Sequence, residues 1–326
     1  MVTSGFKQGQ TNQGSGLTTE TIDLATFKSK DPKCLSSLPN WTYQISGATG
    51  GLLPNNQPIV CGGYQPGLYK SECYTIRYNG VRFEWFRKVQ MAHHRVWAAS
   101  VVLGNGLLVT GGISTDEGTS ISTEIVSLSI PQLQSILRNV KEGFFQIDVN
   151  TEISRPGPDL PMAFWRHCMT WIDETRVALI GGNKGQTLII DTTDFSMMMG
   201  PNTTYESVWH SCTKFKHQGK DLVIVIGGIS RKGEIASTQI WDPTSGKGWE
   251  EGPDLPDPCS YSSAVVHETS EEENVLLMGC NENPDKIYEL SDRGGQLKWS
   301  TLSSELKHPR SNLVAMMVPD EFAHCN

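Results

Sequence analysis

LLVTGGISTDEGTSISTEIVSL, residues 107–128, starts on an apolar run and stops at Gly111-Gly112. The run Leu107–Thr110 reads as a buried strand, and a second strand-like run begins near Glu124. The same break recurs along the chain. PIVCGG ends at Gly62-Gly63, RVALIGG at Gly181-Gly182 and LVIVIGG at Gly227-Gly228, while NVLLMGC ends at Gly279-Cys280 as a degenerate copy. The first glycines are separated by 49, 70, 46 and 52 residues. A period near fifty indicates a repeat architecture, so the chain has to be read as repeats before any local motif is interpreted. Gly50-Gly51 and Gly294-Gly295 do not follow apolar runs and read as turns outside the pattern.

Composition agrees with many short strands. Of 326 residues, 37% are hydrophobic, 32 are glycine, 17 proline and 9 tryptophan. No apolar run approaches the roughly 20 residues needed to cross a bilayer. The first residues, MVTSGFKQGQTNQGSG, are polar and glycine-rich with no apolar core of a signal peptide. The reading is a disordered lead-in over 1–16 and one folded domain over 17–326. A net charge of −8 argues against a general nucleic-acid binder, which needs a basic face.

Each repeat can be laid out in the same way. A first strand is approached through arginine or aromatic residues, as in HHRVWAASVVL, WRHCMTWI and VWHSCTKF. The second strand ends at the glycine pair. A third follows a polar loop: ECYTIRY, TEIVSL, TLIIDTT, TQIWDP and KIYELS. A fourth carries an aromatic in most copies, such as Trp85, Phe195, Trp249 and Trp299, and leads into GPDLP at 157–161 and 252–256. Four strands too short to hold a core alone make one propeller blade. Glycine at the end of the second strand fits a backbone that turns sharply against a neighbour. It does not fit a phosphate loop, because none of these sites continues as GxxxxGK[ST].

With these features in place, the chain resembles the kelch-repeat family over about residues 17–326. The resemblance implies an all-β, closed propeller and does not fix a function, since kelch propellers include binding platforms, adaptors and a few enzymes. Complete blades begin near Gln44, Arg95, Arg166, Val208 and Tyr261. The tail RSNLVAMMVPDEFAHCN supplies a first and second strand, and TTETIDLATF and KCLSSLPN supply a third and fourth, so the two ends make a sixth, composite blade. The interval of 70 contains PQLQSILRNVKEGFFQIDVN, where Leu133, Ile136, Leu137, Val140 and Phe144 follow helical spacing and predict one short helix in an inserted loop.

The approaches to the first strands concentrate the binding candidates: Trp41, His94, Arg95, Trp97, Trp165, Arg166, His167, Trp209, His210, Tyr261 and Arg310. Such residues at one end of a propeller suit a binding hot spot, and arginine can take a carboxylate through paired hydrogen bonds. The same residues also suit the locking of neighbouring blades. His167 and His210 hold equivalent positions in adjacent blades, but no metal-ligand spacing accompanies them, and neither GxSxG nor HExxH occurs. The expectation is a non-enzymatic platform for a protein partner, with no cofactor and no metal. The alternative is a glycan, small-molecule or oxidase-type propeller working at the channel mouth.

Eight cysteines leave two pairings with sensible geometry, Cys61–Cys73 at facing strand ends and Cys259–Cys280 within one blade. Cys168 and Cys212 match in successive blades and can pair only if their strands come unusually close. Cys34 and Cys325 remain, both in the composite blade. The chain is similar to secreted kelch proteins with cysteine at these strand ends, which implies an extracellular location; a reduced, cytoplasmic protein is the alternative. Asn40 and Asn202 each open a glycosylation sequon.

Overall fold

The computed structural model describes residues 2–3, 19–20, 22–23, 28–29, 39, 41, 44–78, 83–114, 118–127, 153–182, 184–269 and 272–318. The predicted insertion helix, Asn40, Cys34 and Cys325 lie outside these residues. The described chain is an all-β propeller without helices.

Five blades are four-stranded antiparallel sheets. Their first strands are Thr49–Leu52, Ala99–Leu103, Cys168–Trp171, Ser211–His217 and Ser263–Glu268. In the second blade, Ala99–Leu103 pairs with Gly106–Thr110, which pairs with Thr123–Ser127, which pairs with Ile153–Pro156. The order 1-2-3-4 holds in every blade, so each connection is a simple antiparallel step.

The apolar second strands follow from burial on both faces. Leu107 and Val109 pack against Leu53, Ile59 and Val89 of the first blade. Leu108 points the other way, into a cluster with Phe164, Leu179 and Leu188 of the third. Similar cores fill the gap between the third and fourth blades, with Ile180, Val223, Trp241 and Trp249, and between the fourth and fifth, with Phe215, Ile224, Val275 and Leu277.

The glycine pairs sit where adjacent blades touch. Gly111 and Gly112 have φ of 57° and 92°, in the left-handed region that favours glycine. The Gly112 N–H donates to the Phe164 carbonyl at 2.9 Å, and a Cβ on Gly111 would run into that same carbonyl oxygen. The N–H groups of Gly63 and Gly228 likewise donate to the carbonyls of Arg95 and Cys259, each at 2.7 Å. Gly294 and Gly295 form the expected turn, with φ of 69° and 85°. Gly50 and Gly51 do not. They lie inside the strand Thr49–Leu52, where a Cβ on Gly50 would strike the backbone of Ile59.

A smaller sheet joins the chain ends. Val314–Ala315 pairs with Val2–Thr3, which pairs with Thr19–Glu20. The strand beside Val314–Ala315 therefore comes from the N-terminal end, not from the C-terminal tail as the sequence suggests. It lies within the stretch read as a lead-in; two β-branched residues pair there, and the flanking residues are outside the described set. Ile22–Asp23 and Lys28–Ser29 form a further antiparallel pair. Val314 and Met316 share a core with Trp41, Ile45 and Val60 of the first blade. Leu313 shares another with Leu276, Met278 and Ile287 of the fifth, where Ile22 and Ala315 also pack.

Three disulfides are present among the described residues. Cys61–Cys73 and Cys259–Cys280 are the two within-blade pairs, with Cα separations of 4.0 and 4.9 Å. Cys168–Cys212 joins the first strands of the third and fourth blades, whose Cα atoms come within 5.8 Å at that level.

Candidate functional site

Two positions ahead of each blade's first strand, and of Val314–Ala315, the chain is held in a left-handed turn. Gly47, Trp97, Arg166, Trp209, Tyr261 and Asn312 have φ between 55° and 63°. Five of them are not glycine, and such residues rarely take this conformation unless their surroundings enforce it. What enforces it is a circuit of backbone hydrogen bonds. Trp97 N–H donates to Gly47 O (3.0 Å), Arg166 to Trp97 (3.3 Å), Trp209 to Arg166 (3.1 Å) and Tyr261 to Trp209 (2.9 Å). Asn312 donates to Tyr261 (2.7 Å) and Gly47 to Asn312 (3.3 Å), so the last bond returns to the first residue.

These six residues surround an axial cavity of about 120 Å³. Its wall is largely aromatic and cationic. The Arg166 guanidinium lies 3.6 Å from the ring centre of Trp209, 4.2 Å from that of Trp165 and 4.9 Å from that of Trp97. Trp209 in turn packs on Tyr261 at 4.6 Å and edge-on to Trp97 at 6.1 Å. With its amide oxygen turned to the available donors, Asn312 accepts from Gly47 N and from Trp97 Nε1 at 3.2 and 3.3 Å. Burial lowers the Arg166 pKa and raises that of Tyr261, whose rise the nearby Arg166 charge partly offsets.

The glycine-pair loops rise on the same face, because the end of each second strand pairs with the start of the first. Three of them form small hairpins: Tyr64–Gln65 with Leu68–Tyr69, Ile113–Ser114 with Gly118–Thr119, and Ile229–Ser230 with Gly233–Glu234. Tyr64, Leu68 and Ile121 on these loops are exposed large hydrophobics. Beside the third hairpin lies an open groove of about 500 Å³ lined by Tyr205, Glu206, Ser230, Arg231, Lys232 and Ile235.

Not all of the expected binding residues reach this face. Trp97, Trp165, Arg166, Trp209 and Tyr261 come together there. Arg95 does not: it is 1% exposed and ion-paired to Glu124 at 2.9 Å, and it donates to the Gly111 and Ser122 carbonyls at 2.7 and 3.1 Å. Arg310 is 0% exposed and pairs with Glu20 at 3.3 Å. Trp41 is buried against Trp85, ring centres 4.3 Å apart, in the core between the first blade and the terminal sheet. Two positions separate Arg95 from Trp97 and Arg310 from Asn312, enough to carry the side chain from the mouth to the blade interior. His94 is partly buried.

The two histidines are buried and neutral. His210 Nε2 bonds the Ile180 carbonyl at 2.9 Å and Nδ1 bonds Ser207 Oγ at 3.2 Å, so both nitrogens are committed. His167 Nε2 bonds Thr110 Oγ1 at 3.0 Å. Burial, with a smaller contribution from His210, pulls the His167 pKa down to about 3. Among the described residues no group of three or more His, Cys, Asp or Glu is placed to hold a metal ion.

The His167 shift has a sign that can be measured. Its folded pKa lies below the ordinary value, so its stabilising effect is complete above pH ~6.5 and is lost as pH falls towards 3, while the unfolded chain takes up the proton. From pH 7 to 5 this amounts to about 2 kcal/mol. Urea denaturation at pH 7 and 5 should show His167→Gln losing clearly less stability than the parent; equal losses would contradict the assignment.

Arg231 of the groove carries no sequence signal beyond its loop position, whereas Tyr205 belongs to the aromatic approach to the fourth blade's first strand. Asn202 is exposed, on the loop leading to the fourth blade. No helix among the described residues is long and apolar enough to cross a membrane. No family model and no curated protein matches the chain.

Proposed function

We propose that the protein is a closed, six-bladed propeller of the kelch-repeat kind that acts outside the cell as a non-enzymatic platform for a protein partner. The sixth blade is the composite one, built from Val314–Ala315, Val2–Thr3, Thr19–Glu20 and the pair that follows. The six-membered hydrogen-bond circuit and the two cores flanking the terminal sheet support that count. The kelch assignment rests on the repeat pattern itself.

The observation that carries the binding reading is the convergence of Trp97, Trp165, Arg166, Trp209 and Tyr261 on one mouth, ringed by hairpins with exposed Tyr64, Leu68 and Ile121. Tryptophan, tyrosine and arginine dominate protein-binding hot spots, and loops on a rigid scaffold are where such residues work. The axial cavity falls below the roughly 300 Å³ of small-molecule sites, which favours a partner that covers the mouth over an organic ligand swallowed by it. Selection of peptides on the immobilised protein, with a glycan array run in parallel, tests this. Peptides that lose binding to Trp165→Ala support a protein partner; glycans alone bound through the same residues would replace it with the lectin reading.

Three disulfides fit an oxidising compartment. Protein from a secretory host should gain mass on reduction and alkylation at Cys61, Cys73, Cys168, Cys212, Cys259 and Cys280. If all six alkylate without prior reduction, the extracellular reading fails.

A further inference from the structure

Three polar groups around the axial cavity are buried without a hydrogen-bond partner among the described residues: Arg166 Nε, Trp209 Nε1 and His167 Nδ1. The residues that carry them belong to two adjacent blades and line the same 120 Å³ space. The first two are obligatory donors. The third is also a donor in the tautomer whose Nε2 accepts from Thr110 Oγ1. His167 itself is 7% exposed, so this is not a surface group waiting for bulk water. No Asp or Glu lines the cavity, and Arg166 makes no ion pair among the described residues; its charge is met only by the faces of three tryptophans.

Leaving a buried donor unmade is costly, and groups of this kind ordinarily find an acceptor. Three of them on residues that line one cavity, one of them within the half-buried Arg166 guanidinium, point to the kind of acceptor that suits them. It has several lone pairs directed at donors on two blades, it is small, and it is negative. We infer that the axial cavity is an anion site that takes a single carboxylate group or a small oxyanion, with Arg166, Trp209 and His167 as its donors. The tryptophan faces keep the guanidinium planar and oriented, which preserves its capacity for paired, charge-assisted hydrogen bonds.

The anion has two sources, a free anion or an acidic side chain of a partner lying over the mouth. Only the second rests on the platform reading above. The test uses ¹⁵N-labelled protein titrated with sodium acetate and with sodium sulfate, and with sodium chloride at matched ionic strength as control. The Arg166 Nε–H and Trp209 Nε1–H resonances should shift saturably with acetate or sulfate and less with chloride. Arg166→Met should raise the apparent Kd roughly tenfold or more, with its melting temperature recorded alongside. Trp209→Phe, which keeps the stack and removes one donor, gives a second variant should Arg166→Met fold poorly, and it should weaken binding in the same direction. An acetylated, amidated Gly-Asp-Gly peptide then separates the sources. Displacement of acetate by the peptide at lower concentration assigns the site to a chain carboxylate; acetate or sulfate binding without the peptide assigns it to a free anion. No saturable shift up to about 100 mM, or undiminished binding by both variants, overturns the inference. Peptides selected on the mouth that contain no acidic residue would leave the platform reading intact while this site failed.

Discussion

Removing residues 2–29 should abolish cooperative unfolding. The deletion takes Val2–Thr3 and Thr19–Glu20 away from Val314–Ala315, leaving an open sheet edge and uncovering the cores around Trp41 and Leu313. It also removes Glu20 from Arg310, a guanidinium with no exposed surface. Stranding one member of a buried ion pair costs about 3–5 kcal/mol by itself, against a total stability of roughly 5–15 kcal/mol for a domain. Burial pushes the Glu20 carboxyl up, with Arg310 working against that rise, so the pair depends on remaining together. Calorimetry on the truncated chain is the check. A cooperative transition at the full-length temperature would mean that the ends do not complete the fold.

Arg95→Ala should destabilise the protein by about 3–5 kcal/mol. Glu124 is 0% exposed, and its carboxylate accepts from Ala92 N, His93 N, Ser154 Oγ and Arg95. The arginine side also ties the second strand to the third through Gly111 and Ser122. Alanine leaves the carboxylate buried with its countercharge gone and takes the side-chain donor from the Gly111 carbonyl, while the Ser122 carbonyl keeps only the Gly111 N–H. Because Glu124 also holds two backbone N–H groups, Arg95→Met with Glu124→Leu should recover only part of the loss. Chemical denaturation of the single and double variants measures both. A loss below about 1 kcal/mol for Arg95→Ala, typical of an exposed pair, would show that the residue is not an internal fastener.

The contrast between Arg95 and Arg166 shows what the sequence did and did not disclose. Both lie in aromatic stretches that approach a first strand, and residue type alone does not separate them. Position does: Arg166 occupies the left-handed turn itself, whereas Arg95 and Arg310 stand two residues ahead of it. A partner signal was also present. Strands that open Thr-Glu, at Thr19-Glu20 and Thr123-Glu124, supply the partners of the two arginines at that earlier position.

The blade pattern was readable because the glycine pairs and two-faced apolar strands recur about every fifty residues. Five four-stranded blades follow that pattern. The pairing of Val2–Thr3 was not readable, since two residues in a polar, glycine-rich stretch carry no periodicity. Nor was the approach of Cys168 to Cys212, which depends on the spacing of two inner strands and not on either strand's own residues. The orphaned donors around the axis were equally hidden: whether an indole or imidazole nitrogen finds a partner is decided by packing from neighbouring blades.

The most direct test of the mouth as the binding site is the affinity of a selected peptide for Arg166→Ala, measured together with the variant's melting temperature. Arg166 is partly exposed and ion-paired to nothing among the described residues, but its guanidinium stacks on three tryptophans, so its removal should cost about 1–2 kcal/mol of stability and leave the fold intact. As a central anchor it should cost about 2 kcal/mol or more of binding, roughly a 30-fold rise in Kd. That combination, weakened binding on an intact fold, is the predicted result. Unchanged affinity, or affinity lost only in proportion to lost folding, would contradict it.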